Sequence, residues 1–170
     1  QPLFFMKKNS RREFLRRLTP AAIAAPLLPA AVAAAENEKP RPKRAHRVTL
    51  AQLKVTREVS ANFSRMKPAF QQAARENAQW ILFPEGMLSG YTGEFDQDEV
   101  ANAFSKCASL CARHNLTALI GTCWKRDGGK IFNQIRMVGP DGRAFGSYAK
   151  RCLTYGDARW AEPGTGNIVF

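Results

Sequence analysis

Residues 80–91 read WILFPEGMLSGY. The first four residues, Trp80 to Phe83, form an uninterrupted apolar run, which predicts a short strand that is buried on both faces of a sheet. Pro84 cannot donate to a sheet ladder, so the strand is expected to end there. Glu85 then follows a strand end, the position at which open α/β sheets bind their ligands. A carboxylate at this position suits a general base, and a helix cap or a loop salt bridge is the plainer alternative.

The residues before this stretch predict a strand and then a helix. Val48–Val55 alternates in polarity as a first strand does. A helix capped by Ser60 or Asn62 is expected to run to about Asn77, because its apolar residues recur at helical spacing. Pro68 lies inside this helix, where it marks either a kink or a later start. The opening is therefore β-α-β, which requires parallel strands and a right-handed crossover.

The residues after the stretch predict a second crossover followed by a hairpin. A helix is expected over residues 98–114, ending at Asn115, and a third strand over residues 118–124. Two more strands are expected at 131–138 and 143–148, because the GPDG sequence between them is a strong hairpin signal. Two crossovers and a hairpin predict a layered α/β domain.

Composition and charge are consistent with one globular domain behind a basic leader. The chain has 170 residues, of which 45% are hydrophobic, enough for a single core. The net charge of +12 is concentrated near the N-terminus, since six basic residues lie within residues 1–35 and five within 39–47. Residues 36–47 are charged and contain prolines, which indicates a solvated linker. A nucleic-acid patch is the alternative, but no aromatic residues interleave these charges, so no nucleic-acid partner is expected.

The N-terminus resembles an export signal. SRREFLR at residues 10–16 is similar to the twin-arginine signal, with arginine where lysine is usual. An alanine-rich run over residues 18–35 follows and ends in small residues suited to cleavage. We expect a signal peptide over residues 6–35, extraneous upstream residues at 1–5, and the twin-arginine machinery as a partner. The mature protein is then periplasmic or extracellular, and a retained membrane anchor is the alternative.

Five short motifs occur in a specific order along the chain. They are Ala51-Gln52, then Phe83-Pro84-Glu85 with Ser89-Gly90-Tyr91, then Asn133 ahead of Gly139-Pro140-Asp141-Gly142, then Tyr148-Ala149-Lys150-Arg151-Cys152-Leu153, and finally Pro163-Gly164. In this order, residues 48–170 resemble the nitrilase, or carbon–nitrogen hydrolase, superfamily. The resemblance implies an α-β-β-α sandwich of which only the N-terminal half is present. It also implies hydrolysis of a small amide, nitrile or N-carbamoyl compound by a protein that forms homo-oligomers.

The resemblance also assigns roles to individual residues. Glu85 matches the general base and Lys150 the lysine of a Glu-Lys-Cys set, and the nucleophilic cysteine is expected beyond Phe170. Asp157 stands close to where the family often has a second glutamate, and Glu162 competes for that role. This chemistry needs a thiolate that attacks carbon to form a thioester, a base that moves protons, and a cation that stabilises the oxyanion.

The cysteines within the chain have plainer interpretations. Cys152 follows Lys150 by two residues and is an alternative nucleophile, although a structural role is favoured. Cys107, Cys111 and His114 share one helix face and could be drawn as metal ligands. Zinc sites rarely take three ligands from one helix stripe, and both cysteines fall on the core-facing stripe, so core packing is favoured. Neither a phosphate-binding glycine loop nor a metal spacing is present, so no cofactor is implied.

The hydrolase hypothesis requires Glu85 and Lys150 to meet in one pocket that excludes water. If the strands that bear them are neighbours, four aromatic residues are expected to form its walls: Phe83, Tyr91, Tyr148 and Trp160. A non-catalytic exported protein that keeps the fold for binding or assembly is the alternative function. A downstream strand ending in cysteine would favour the enzyme over this alternative.

Overall fold

A five-stranded mixed sheet organises residues 45–166, the part of the chain that the structure, a computed structural model, describes. The strands are β1 (Val48–Leu50), β2 (Trp80–Leu82), β3 (Thr117–Lys125), β4 (Ile131–Val138) and β5 (Ala144–Ala149), and the helices are α1 (Val59–Arg75) and α2 (Gln97–His114). Two short 3₁₀ turns follow β3 and β5 at Asp127–Gly129 and Asp157–Arg159. The predicted signal peptide and most of the predicted linker lie outside the described residues.

The strands lie side by side in chain order. β1 and β2 pair in parallel, as do β2 and β3, while β3, β4 and β5 pair antiparallel. The two parallel pairs are the predicted β-α-β crossovers. The predicted hairpin between β4 and β5 is also confirmed, since the Gly142 N–H donates to the Gly139 carbonyl at 2.9 Å. The fold class is therefore α/β, as the sequence predicts.

The register of the strands separates the two faces of the sheet. Ile81, Ala118 and Val138 stand in one row and are buried in the core beneath the helices. The next row, on the opposite face by the alternation of strands, includes Leu82 and Leu50, of which Leu50 is 74% exposed. The prediction that β2 is buried on both faces is therefore wrong, because the helices within residues 45–166 cover only one face of the sheet.

The two helices bury complementary stripes over that face. Met66, Phe70 and Ala73 of α1 are fully buried, as are Val100 and the two cysteines of α2. Burying a side chain the size of Phe70 contributes about 2–3 kcal/mol relative to leaving it exposed, so these stripes hold the helices on the sheet.

The start of α1 differs from the prediction. The helix begins at Val59, and its N-cap, Glu58, makes no side-chain capping bond. Asn62 is fully buried one turn inside the helix, and its Nδ2 donates to the Thr56 carbonyl at 2.6 Å while its Oδ1 accepts from the Thr56 N–H at 2.9 Å. Asn62 therefore holds the preceding loop rather than capping the helix. The helix continues through Pro68, so the predicted later start is wrong.

The ends of α2 agree with the prediction more closely. Asp96 caps the helix by accepting from the N–H groups of Asp98 at 2.8 Å and Glu99 at 2.9 Å. Asn115 ends it in a left-handed conformation with φ of 52°, which confirms the predicted stop.

Neither helix within residues 45–166 has both the length and the apolar character of a transmembrane span.

The core prediction for the helix cysteines is confirmed. Cys107 and Cys111 are both fully buried in the cluster between α2 and the sheet. Burial raises the pKa of the Cys107 thiol and raises that of the Cys111 thiol to about 12. Within the described part of the chain, no three or more His, Cys, Asp or Glu side chains are grouped to hold a metal ion.

Several strand limits shift by a few residues. β1 ends at Leu50 instead of the predicted Val55, although the Ala51 N–H still donates to the Leu82 carbonyl at 2.9 Å. β3 is one residue longer than predicted at each end. β5 runs one residue later than predicted and ends at Ala149, so that Lys150 stands immediately after the strand.

Candidate active site

The loop that carries Glu85 lies directly on β3. Gly121 of β3 permits this close approach, because a Cβ atom at that position would stand 2.1 Å from the Pro84 carbonyl oxygen. The Gly121 carbonyl in turn accepts a hydrogen bond from the Leu88 N–H at 3.1 Å. Only glycine therefore allows the loop to lie where it fixes Glu85 at the end of β2.

A second attachment lies one residue further along the loop, at Ser89. The Ser89 hydroxyl is buried, accepts from the Cys123 N–H at 2.7 Å and donates to the Gly90 carbonyl at 2.8 Å. Gly90 has a φ of +83°, and a Cβ atom there would approach the Thr56 carbonyl oxygen to 2.7 Å. The Ser89-Gly90 part of the motif therefore has a structural role in holding the Glu85 loop against the sheet.

Glu85 and Lys150 meet at this edge of the sheet, although they are 65 positions apart in the chain. The Lys150 Nζ lies 2.9 Å from the Glu85 Oε1. The same oxygen accepts a hydrogen bond from the Asn133 Nδ2 at 2.6 Å. Because the Lys150 N–H donates to the Asn133 carbonyl at 2.8 Å, the end of β5 is fixed beside β4. The structure therefore brings together the two residues that the sequence analysis singled out.

Asp157 is the acid that completes this cluster. Its side chain is fully buried, and its Oδ2 lies 2.7 Å from the Lys150 Nζ. The Tyr91 hydroxyl donates to Oδ1, and the Thr154 N–H donates to Oδ2 at 3.2 Å. Glu162, the competing acid, is exposed, and its backbone N–H donates to β4 at the Ile131 carbonyl. Of these two acids, Asp157 is the one that contacts Lys150.

The contacts within the cluster determine its protonation. Hydrogen bonds to Asp157 and then to Glu85 raise the pKa of Lys150 despite its partial burial. Burial alone would raise the pKa of Asp157, but the hydrogen bonds from Lys150, Tyr91 and Thr154 outweigh burial and lower it to about 2. The pKa of Tyr91 is raised by burial, then by its bond to Asp157 and the charge of Glu85. Lys150 is therefore cationic and Asp157 anionic at neutral pH.

A cavity of about 770 Å³ opens beside Glu85 and Lys150. The residues that line it include Phe83, Asn133, Ile135, Tyr148, Arg151 and Cys152. It lies at the end of the sheet face that the described helices leave uncovered.

The predicted aromatic walls are found in part. Phe83 and Tyr148 line the cavity, whereas Tyr91 and Trp160 lie beside it in an edge-to-face pair with ring centroids 5.7 Å apart. The Tyr91 ring centroid is 5.9 Å from the Lys150 Nζ. The pocket does not exclude water as predicted within residues 45–166, since the Glu85 side chain is 50% exposed and that of Lys150 is 27% exposed. These exposures reflect the uncovered sheet face within residues 45–166.

The cysteines differ in their access to the site. Cys152 is exposed and lines the cavity, whereas Cys107, Cys111 and Cys123 are buried. Burial also raises the pKa of the Cys123 thiol. Among the cysteines of residues 45–166, Cys152 alone has access to the cavity.

Sequence reasoning missed three partners of the site. Asn133 was identified as part of a motif without a role, and its bond to Glu85 depends on the fold of a loop 48 positions away. The bonds of Tyr91 and Thr154 to Asp157 were also not predicted. The sequence offers no specific signal for Asn133, because β4 also contains the polar residues Gln134 and Arg136.

Comparisons with known proteins identify the family to which this fold and site belong. Residues 47–168 match the family model of the carbon-nitrogen hydrolases. An omega-amidase NIT2 from Bos taurus is 25% identical over 137 residues, covering 73% of this chain and 50% of the relative. A nitrilase from Pyrococcus abyssi (strain GE5 / Orsay) is 26% identical over 114 residues, covering 63% of this chain and 43% of the relative. The chain thus spans about half the length of the curated relatives it matches, or less.

Solved structures show the same fold at lower sequence identity. An amidase from Nesterenkonia sp. superposes with a TM-score of 0.65 at 19% identity, over 71% of this chain and 49% of the amidase. A glutamine-dependent NAD+ synthetase from Acinetobacter baumannii gives a TM-score of 0.65 at 22% identity, over 72% of this chain and 25% of the synthetase. Since the family model matches well over half of the sequence, the chain belongs to the carbon–nitrogen hydrolase family.

Proposed function

We propose that the protein hydrolyses a non-peptide carbon–nitrogen bond in a small amide, nitrile or N-carbamoyl compound. The observation that carries the proposal is the 2.9 Å contact between Glu85 and Lys150 at the edge of an open cavity. The names of the relatives, an omega-amidase and a nitrilase, support the same class of substrate.

In this proposal, Glu85 is the general base and acid. For an amide substrate, a cysteine thiol gives its proton to Glu85 while the sulfur bonds to the carbonyl carbon. Glu85 passes that proton to the nitrogen, the carbon–nitrogen bond breaks, and ammonia or an amine leaves a thioester. Glu85 next takes a proton from water as the water oxygen attacks the thioester carbon. The carbon–sulfur bond then breaks, and the proton returns to the thiolate.

Lys150 provides the positive charge that this sequence requires. The negative charge of each tetrahedral intermediate develops on the former carbonyl oxygen, where a fixed cation stabilises it. Because Asp157 and Glu85 raise the pKa of Lys150, the ammonium stays charged and does not act as a base. We assign Asp157 to the role of the second acid, which holds Lys150 in place through the 2.7 Å contact.

We propose that the nucleophilic cysteine lies downstream of Phe170. Cys107, Cys111 and Cys123 are buried, which argues against a nucleophilic role for them. Cys152 lines the cavity and is the alternative. A Cys152→Ser variant of the full-length protein separates the two, because it retains activity if the nucleophile lies downstream and loses it if Cys152 is the nucleophile.

The test is ammonia release by the full-length protein from a panel of short aliphatic amides, nitriles and N-carbamoyl amino acids. We expect turnover by the wild type and a loss of at least about 1,000-fold in kcat for Glu85→Gln, which keeps the shape but removes the base. The matched control is Glu94→Gln, since the Glu94 side chain is 89% exposed and lies 3.9 Å from the Arg57 side chain at the surface. Turnover by Glu85→Gln at the wild-type rate would refute the proposal. A folded protein without turnover on the panel would favour the non-catalytic alternative.

We further propose that the protein is exported through the twin-arginine route and acts as a homo-oligomer outside the cytoplasm. The export proposal is supported by the SRREFLR motif and the alanine-rich run after it. Replacing Arg11 and Arg12 together by lysine should retain the protein in the cytoplasmic fraction, whereas unchanged export would contradict the proposal. Sedimentation of the mature protein tests the oligomer, and a monomer at micromolar concentration would exclude it.

A further inference from the structure

The two carboxylate oxygens of Glu85 have different surroundings. Oε1 accepts from the Asn133 Nδ2 at 2.6 Å and from the Lys150 Nζ at 2.9 Å. Both of these donors contact Oε1, and neither contacts Oε2. Because the Glu85 side chain lines the cavity and is 50% exposed, Oε2 is the oxygen that remains open to a reacting group.

The chemistry of the two side chains fixes their mutual orientation. An ionised carboxylate only accepts hydrogen bonds, so the Asn133 amide must present its N–H group to Glu85. Hydrogen bonds to a charged acceptor are shorter and stronger than those between neutral groups, and the 2.6 Å distance fits this description. Two donors on one oxygen restrict rotation of the carboxylate, so that the open oxygen keeps a constant direction.

Asn133 connects both members of the pair. It is 2% exposed and lies in β4 opposite Cys123 of β3. Its side chain contacts Glu85, and its backbone carbonyl accepts the Lys150 N–H at 2.8 Å. A substitution at this position removes the side-chain contact but leaves the backbone contact available. The role of the side chain can therefore be tested while the end of β5 stays in place.

The geometry points to Asn133 as a positioning residue for the reaction. We infer that it holds Glu85 by Oε1, beside Lys150, and thereby makes Oε2 the oxygen that accepts and returns the proton. The inference rests on the proposed function, since it specifies how the general base of that reaction is oriented.

The experiment compares Asn133→Ala and Asn133→Asp with the wild type in the full-length protein. Loss of one hydrogen bond to a charged group should lower kcat about 10- to 100-fold, with KM within about twofold, because the substrate is still bound. Asn133→Asp keeps the shape but replaces the donor by a like charge, so kcat should fall at least as far. The control is Asn115→Ala, which places alanine in a left-handed conformation remote from Glu85, and which should lower Tm without changing kcat.

Two results would overturn the inference. One is a kcat for Asn133→Ala within twofold of the wild type. The other is a rise in KM at constant kcat, which would indicate a substrate contact instead. If the wild type hydrolyses no substrate, the proposed function fails, and crystal structures of the wild type and Asn133→Ala decide the inference separately. We then expect the Glu85 carboxylate to move away from Lys150 in the variant, whereas an unchanged carboxylate position would refute its positioning by Asn133.

Discussion

Replacing the buried acid by an amide, as Asp157→Asn, should destabilise the protein in a pH-dependent way. The side chain is fully buried, and its contacts lower its pKa from 3.8 to about 2. A pKa that is lower in the folded than in the unfolded state gives stability that is present above the unfolded value and lost as pH falls toward the folded value. The difference corresponds to about 2 kcal/mol at neutral pH, of which roughly 1 kcal/mol is lost by pH 3.

Urea unfolding of the full-length wild type and Asp157→Asn at several pH values between 7 and 3 measures this difference. We expect the variant to be about 2 kcal/mol less stable at pH 7, and the gap to narrow by about half at pH 3. Glu162→Gln is the control, because this acid is exposed and should change the free energy of unfolding by less than about 0.5 kcal/mol. Equal stability of Asp157→Asn and the wild type at pH 7, or a gap that does not change with pH, would refute the assigned role of the buried charge.

Three further predictions concern the loop, the phenol and the thiols. Gly121→Ala should displace the Glu85 loop, because the alanine Cβ would stand 2.1 Å from the Pro84 carbonyl oxygen. We expect a Tm lower by several degrees and a kcat lower by more than tenfold, and wild-type values for both would contradict the close approach. Tyr91→Phe should raise the pKa of Asp157 and cost about 1 kcal/mol in urea unfolding at pH 7, since it removes the hydroxyl that donates to Oδ1; an unchanged free energy would count against this bond. Iodoacetamide should alkylate Cys152 in the native protein and Cys107, Cys111 and Cys123 only in urea, as detected by peptide mapping. Alkylation of Cys107 in the native protein would contradict its burial between α2 and the sheet.

The edge of the sheet that bears Glu85 could be predicted because local signals decide it. β2 ends at Leu82, one residue earlier than predicted, and Pro84 and Glu85 follow in the loop after the strand end. The GPDG turn fixed the hairpin, and the hairpin places Lys150 at the end of β5 beside β4. The meeting of Glu85 with Lys150 does not follow from strand order, because β3 and β4 lie between β2 and β5 and the strands that bear the two residues are not neighbours. It depends on the Glu85 loop, which lies on β3 at Gly121 and reaches Asn133 of β4.

The remaining partners of the site depend on side-chain placement that periodicity does not encode. Asp157 and Glu162 are close in the sequence, and only the short 3₁₀ turn at Asp157–Arg159 directs one of them inward toward Lys150. Asn62 has the sequence character of a helix cap, yet its bonds to Thr56 satisfy it inside the helix. In both cases the position of the side chain is determined by a contact that the periodicity of the sequence does not show: Lys150 for Asp157, and Thr56 for Asn62.

Mass spectrometry of the full-length protein, acid-quenched during turnover of a short aliphatic amide, tests most directly that Glu85 and Lys150 serve a cysteine nucleophile. We predict a mass increase equal to the acyl group on a cysteine downstream of Phe170 in the wild type, and no such adduct in Glu85→Gln. An adduct that forms equally in Glu85→Gln, or turnover without any cysteine adduct under conditions that preserve thioesters, would contradict this mechanism.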